Sequence, residues 1–379
     1  MNGDAFHRGR GVFPAPRRTR PRVPPKFYLG LVLLAACAAL SSGCGRAAEQ
    51  KNTGQTGGEF FFAGVALGLY GHPDDPVLAD QDMAEIARLG ATGIVLPVLW
   101  TSKDASSARI EPFDYGVPQE DYDRAVVAIA ARAHERGLAL EIRPLVRLEH
   151  LGPGDWRGTL HPGDWDAWWS SYRRFILHQA EVAERAEAEF FCVGSELGST
   201  EDQKDRWTRL IADVRRITRA RLLYSANWDH YRTVGFWDRL DAVGLSAYFE
   251  LASATGATQE TLDASWRAHR DAILAWARPL GKPLYLTELG YPAQAGAAVH
   301  PWDYTRRDAP DPEAQARCFR AFAAAWRDAP ELWGVTIWIW DHGKGGLGDA
   351  SYAIAGKPAA EDVKAFFGAR ARAAEARTH

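Results

Sequence analysis

Residues 188–197 read AEFFCVGSEL. Two phenylalanines, a cysteine and a valine in succession describe a strand covered on both faces, the pattern of a parallel sheet. The run then closes on Ser195 and Glu196, although a glutamate is rarely buried without a partner. Seven other runs share this character: GVALGLY (64–70), GIVLPVLW (93–100), LALEIRPLV (138–146), LLYSANW (222–228), AVGLSAYF (242–249), PLYLTELGY (283–291) and WGVTIWIWD (333–341). Amphipathic segments separate them, among them EDYDRAVVAIAARAHERG (120–137) and PEAQARCFRAFAAAWRDA (312–329). Eight alternations of apolar strand and amphipathic helix predict a single (β/α)8 TIM barrel, α/β in class, within residues 59–379. An open doubly wound sheet shares the alternation but has no reason to stop at eight.

Such a barrel carries its chemistry at the carboxyl ends of the strands. Here those ends hold Tyr70 and His72, Trp100, Arg143, Ser195 and Glu196, Asn227 and Trp228, Tyr248, Glu288, and Trp338 and Trp340 with Asp341. Acids and aromatics dominate. Strict alternation along a strand puts Glu196 on the face of Phe190, Cys192 and Gly194, and Glu288 on the face of Leu284 and Leu286. The two glutamates end the fourth and seventh strands, on opposite sides of the ring, and both are expected to point into its mouth. Facing carboxylates are what glycoside cleavage requires. One must be protonated to release the leaving oxygen, and the other ionised to attack the anomeric carbon or to activate water. Mutual repulsion and desolvation help to keep one of them protonated near neutral pH.

VGSEL followed by LTELGYP, with WIWD on the last strand and GKPA beyond it, resembles the clan A glycoside hydrolases, nearest to glycoside hydrolase family 113, known for β-mannanases. The resemblance runs across the barrel and implies roles residue by residue. Glu196 matches the general acid/base and Glu288 the nucleophile of a retaining mechanism, with carboxyl groups about 5–5.5 Å apart. Tyr248 matches the tyrosine that orients the nucleophile. Trp338 or Trp340, two apart and so expected on one face, matches the aromatic floor beneath the reacting sugar. Ser195 stands where the clan usually has an asparagine that touches the sugar 2-hydroxyl, so that contact must differ. The expected partner is a carbohydrate, first β-1,4-mannan, with glucan and xylan as alternatives.

Other residues are read from position alone. Arg143 is expected to bond Glu288 or a sugar hydroxyl, or else to be the structural partner of a nearby acid, and Asn227, Trp228 and Trp100 to line the cleft. Trp168 and Trp169 lie in a helical segment and are expected in the core. GKGGLG (343–348) fits the dinucleotide pattern, but it follows the last strand and opens no βαβ unit, so it reads as a loop. The histidines are scattered, with no metal-type spacing; no metal and no cofactor is expected. The rival of a different class is a non-catalytic glycan-binding barrel, which would need neither glutamate.

Charge separates the amino-terminal flank from the rest. Residues 1–26 carry six arginines and Lys26 against Asp4, residues 27–44 carry no charge, and the whole chain is nevertheless −3. The barrel is therefore acidic, and a nucleic-acid partner is excluded for want of a basic surface. FYLGLVLLAACAAL (27–40), followed by SSG and Cys44, has the form of an export signal of lipoprotein type, with Cys44 the lipidated residue, or else of a plain signal peptide or an uncleaved anchor. Residues 1–44 are thus expected to export the protein, with a lipid anchor as its only tie to a membrane. Residues 45–58 read as a flexible linker.

Overall fold

The computed structural model describes residues 61–69 and 75–378. The signal segment with Cys44, the linker, and Tyr70 and His72 lie outside the described residues. In chain order the elements are β1 (Phe62–Gly68), α1 (Pro76–Arg88), β2 (Gly93–Ser102), β3 (Glu111–Pro112), α2 (Gln119–Glu135), β4 (Ala139–Leu148), α3 (Trp165–Arg185), β5 (Phe190–Ser195), α4 (Lys204–Val214), β6 (Arg221–Ala226), β7 (Val243–Ser246), α5 (Gln259–Ala277), β8 (Leu284–Leu289), α6 (Pro312–Trp326), β9 (Leu332–Asp341) and α7 (Pro358–Thr378). β1 pairs in parallel with both β2 and β9, so the sheet closes into an eight-stranded parallel barrel. β3 is a two-residue antiparallel addition to β2. The fourth and seventh barrel strands are therefore β5 and β8.

Local chemistry starts the helices where the sequence changes period. Asp75 accepts the N–H groups of Val77 and Leu78, Asp164 that of Ala167, and Asp311 that of Ala314. Each satisfies amide donors that the first helical turn leaves without a partner. Pro76 and Pro312 open α1 and α6, where their fixed φ suits a helix and no N–H is missed. The eight-fold repeat is broken once. Between β6 and β7 stands only a 3-10 turn, Trp237–Arg239, because DHYRTVGFWDRL is too short and too interrupted to build a helix.

Two apolar layers hold the barrel. The outer one joins strand residues such as Phe191, Val193, Leu284 and Leu286 to helix residues such as Ile86, Tyr172, Phe175 and Trp207. Trp168 and Trp169 belong to it, as the sequence suggested. The inner one holds Phe62, Ala66, Val95, Phe190, Leu223, Tyr285 and Ile339. At the amino-terminal end of the strands, Phe62 meets Phe190 and Tyr285 edge to face at 5.0 and 5.6 Å, and Trp333 meets Phe190 at 5.2 Å. This aromatic plug requires Gly93, whose added Cβ would stand 2.3 Å from the Phe62 ring. The polar chemistry is left to the opposite end.

Candidate active site

A polar layer lies above the plug, and it starts on β4. Glu141 and Arg143 are two apart, both fully buried, and share the inner face. Arg143 donates from Nε and Nη2 to Glu141 Oε1 at 2.7 and 2.6 Å, and from Nη1 to the Thr287 carbonyl at 2.7 Å and Glu288 Oε1 at 3.3 Å. Tyr285 closes the layer by donating its hydroxyl to Glu141 Oε2 at 2.6 Å. Burial works against the guanidinium charge, but Glu141, Tyr285 and Glu288 outweigh it and raise the Arg143 pKa. Having no exposed surface, Arg143 holds Glu288 rather than meeting a sugar hydroxyl.

Glu288 and Glu196 stand on this layer, 2 and 6% exposed. Glu288 Oε2 accepts the Tyr248 hydroxyl at 2.9 Å. Burial, then the neighbouring Glu196, lift the Glu288 pKa above the ordinary carboxylate range, against the pull of Arg143, Arg157 and the Tyr248 bond. Glu196 has different partners. Its Oε1 accepts the hydroxyl of fully buried Ser246 at 2.6 Å, and its Oε2 takes Arg157 Nη2 at 2.5 Å. Ser246 also lies 3.4 Å from Asn227 Oδ1, which ties Asn227 to the same carboxylate.

Neither glutamate reaches the mouth by simple alternation. The β5–β6 pairing slips between Cys192 and Ser195, and Glu196 adopts φ +55°. An added Cβ on Gly194 would meet Trp207 of α4 and Tyr172 of α3, so Gly194 faces the helices. Phe190 alone of the three expected neighbours belongs to the inner cluster. The β7–β8 pairing slips between Leu286 and Glu288, and Leu284 and Leu286 lie in the outer layer. A one-residue slip exchanges the two faces of a strand, and bulges of this kind re-aim side chains at barrel rims. The left-handed turn at Glu196 is strained for a residue with a Cβ. It is fixed by its own N–H on the Ser225 carbonyl at 2.7 Å and by the next amide, Leu197, on the Tyr224 hydroxyl at 3.1 Å.

The two tryptophans of β9 part company for the same reason. Val65 pairs with Ile337 but Leu67 with Trp340, so β9 holds one extra residue there. Trp338 packs with the inner cluster, whereas Trp340 packs on the outer one and donates Nε1–H to Asp82 of α1 at 3.1 Å. The expectation that they share a face is corrected, and Trp338 alone remains a floor candidate. Trp100 is also corrected. Its ring stacks on Phe175 of α3 at 4.8 Å, outside the barrel, because β2 turns that position toward the helices. Trp228 packs edge to face on Phe249 and on the outer layer. Ser195 is buried, and its Oγ has no partner among the described residues.

Glu141, Tyr285, Ser246 and Arg157 were not singled out in the sequence. The E-I-R spacing of Glu141 and Arg143 carried a usable signal, since charged residues two apart within an apolar strand face the same way. Arg157 carried none, because it sits in the loop between β4 and α3.

Comparisons with known proteins bear on the family and the fold. The profile described as Glycoside Hydrolase Family 113 matches residues 74–357. Among solved structures, the β-mannanase AaManA of that family from Alicyclobacillus acidocaldarius, in complex with ManMIm, is 27% identical with a TM-score of 0.72, over 82% of this chain and 98% of its own. A β-1,4-mannanase of the family is 23% identical with a TM-score of 0.71, over 82% of this chain and 99% of its own. A family 5 enzyme (GH5_18) from Streptomyces cattleya, in complex with GlcNAc, shares the fold at 16% identity and a TM-score of 0.56, over 84% of this chain and 81% of its own. No curated protein sequence matches the chain.

Proposed function

Because the chain belongs to Glycoside Hydrolase Family 113, and is thus a glycoside hydrolase, we propose that it cleaves β-1,4-mannan with retention of anomeric configuration. The observation that carries this reading is the pair of buried carboxylates at the ends of β5 and β8, each with its own set of donors. Glu288 is the nucleophile. Arg143 and Tyr248 donate to its two oxygens, an arrangement that favours the ionised form against the cost of burial. Glu196 is the acid/base. In the first step Glu288 forms a bond to the anomeric carbon while the glycosidic C–O bond breaks and the leaving oxygen takes a proton from Glu196. In the second, Glu196 takes a proton from water, whose oxygen displaces Glu288.

Trp338 forms the floor under the reacting sugar, with Tyr248, Asn227 and Ser195 around it. The unpartnered Ser195 hydroxyl supports a sugar contact at that position, since a buried hydroxyl without a bond is costly. The family's β-mannanases support mannan as substrate. The purified protein is expected to release reducing ends from β-1,4-mannan faster than from cellulose or xylan, with Glu288→Ala inactive. Turnover confined to a glucan or xylan refutes the substrate assignment. The sequence further supports export with lipidation at Cys44, which predicts that radiolabelled palmitate enters the native protein and not Cys44→Ala.

A further inference from the structure

The partners of Glu196 raise a question that its role as acid/base does not answer. Both carboxylate oxygens are occupied, Oε1 by Ser246 and Oε2 by Arg157. A general acid needs one of them free to meet the glycosidic oxygen. Ser246 is fully buried on a barrel strand and is not displaceable without opening the barrel. Arg157 stands on the one-turn 3-10 segment Arg157–Thr159, its side chain is 29% exposed, and its buried Nε has no partner among the described residues. It is held on one side only. The oxygen that delivers the proton is therefore Oε2, and the group that must leave it is Arg157.

We propose that Arg157 is a positioning residue that caps the acid/base oxygen of the free enzyme, is displaced from it by the glycosidic oxygen of bound substrate, and returns after the aglycone leaves. The proposal rests on the roles given above to Glu196 and Glu288. While Arg157 is in place its Nη2 fixes the Oε2 oxygen that takes a proton from water in the second step. When substrate displaces it, Oε2 is free to meet the glycosidic oxygen and deliver the proton of the first step. The same charge reaches further, since it also holds down the pKa of Glu288, while Glu196 and Glu288 together raise that of Arg157 against desolvation. The charged and titratable groups acting on Glu288 are Glu196, Arg143, Arg157 and Tyr248, and around Arg143 stand Glu141 from β4, Cys192 from β5 and Tyr285 from β8. Of the two cations, Arg143 is fully buried and Arg157 has 29% of its side chain exposed.

The test is the pH dependence of kcat/KM on a β-1,4-manno-oligosaccharide for the native enzyme, Arg157→Ala and Arg157→Lys, with thermal melts to establish folding. Removing the cation takes away a charge that holds the Glu288 pKa down, so the acid limb of the profile moves to higher pH in Arg157→Ala. Arg157→Lys, which keeps the charge, holds that limb near its native position. A second readout follows from the return of the cap. Arg157→Ala slows the step in which ionised Glu196 serves as base, so an aryl β-mannoside shows a burst of phenol equal to the enzyme concentration, which azide abolishes by intercepting the glycosyl-enzyme. A folded Arg157→Ala with uniformly lower activity, an unmoved acid limb and no burst overturns the proposal and leaves the two glutamate roles standing. Native enzyme that turns over no β-mannoside overturns both.

Discussion

Tyr248→Phe removes one hydroxyl and leaves the ring that fills the space. In the native site that hydroxyl donates to Glu288 Oε2 at 2.9 Å, and the residue around it is 9% exposed. A hydrogen bond to a charged group contributes about 1.5–3 kcal/mol. One pKa unit corresponds to about 1.4 kcal/mol, so losing the bond lifts the apparent pKa of Glu288 by about one to two units. The direction is fixed by charge: the bond stabilises the ionised nucleophile, and its loss adds to the upward effects of burial and of Glu196. The acid limb of kcat/KM therefore moves to higher pH by that amount. At a pH below the native acid limb the variant loses roughly 10- to 100-fold in kcat/KM, and at high pH it recovers part of that loss. Initial rates on a soluble manno-oligosaccharide from pH 4 to 9, for native and variant enzyme of equal melting behaviour, measure the displacement. An unmoved acid limb refutes the claim that Tyr248 acts through the charge of Glu288.

Two further outcomes concern the wall behind Glu196. Glu201 is buried and accepts the Tyr224 hydroxyl at 2.7 Å through Oε1; burial pushes its pKa up to about 7. A carboxyl whose pKa is raised on folding adds stability below its unfolded value and loses it as pH rises through the folded one. Native protein should therefore lose up to about 3 kcal/mol of unfolding free energy between pH 4.5 and pH 7 through this group, and Glu201→Gln should remove that slope in denaturant titrations; an unchanged slope contradicts the assignment. Gly194→Ala sets a Cβ 2.7 Å from the Trp207 ring and 2.8 Å from the Tyr172 hydroxyl. Overpacking of this kind costs about 1–3 kcal/mol, read as a lower melting temperature, and a neutral result would mean that the wall yields.

The barrel was legible because its strands are short apolar runs and its helices amphipathic, two periods that are hard to confuse. The pair Glu196 and Glu288 was legible because an acid at the tip of an apolar run has few structural excuses. What failed was parity. Alternation was carried through β5, β8 and β9 without a break, but each of these strands slips by a residue near its carboxyl end. The glutamates reach the mouth through those slips, while Trp340 is carried out to Asp82. Trp100 shows a related limit, since an aromatic at a strand end reads the same whether it faces sugar or a helix. Arg157 belongs to a third class. Its importance lies in one contact across 39 residues of sequence, and nothing in its neighbours GDWRGT announces it.

The central claim is that Glu288 attacks the anomeric carbon while Glu196 handles the proton. Incubation of the native enzyme with a 2-deoxy-2-fluoro-β-mannosyl fluoride, followed by peptide mapping, tests it most directly. The fluorine slows both steps and the good leaving group restores the first, so the glycosyl-enzyme accumulates. The account predicts one sugar per chain, attached to the peptide LTELGYP at Glu288. A sugar on Glu196, or on any other residue, contradicts it.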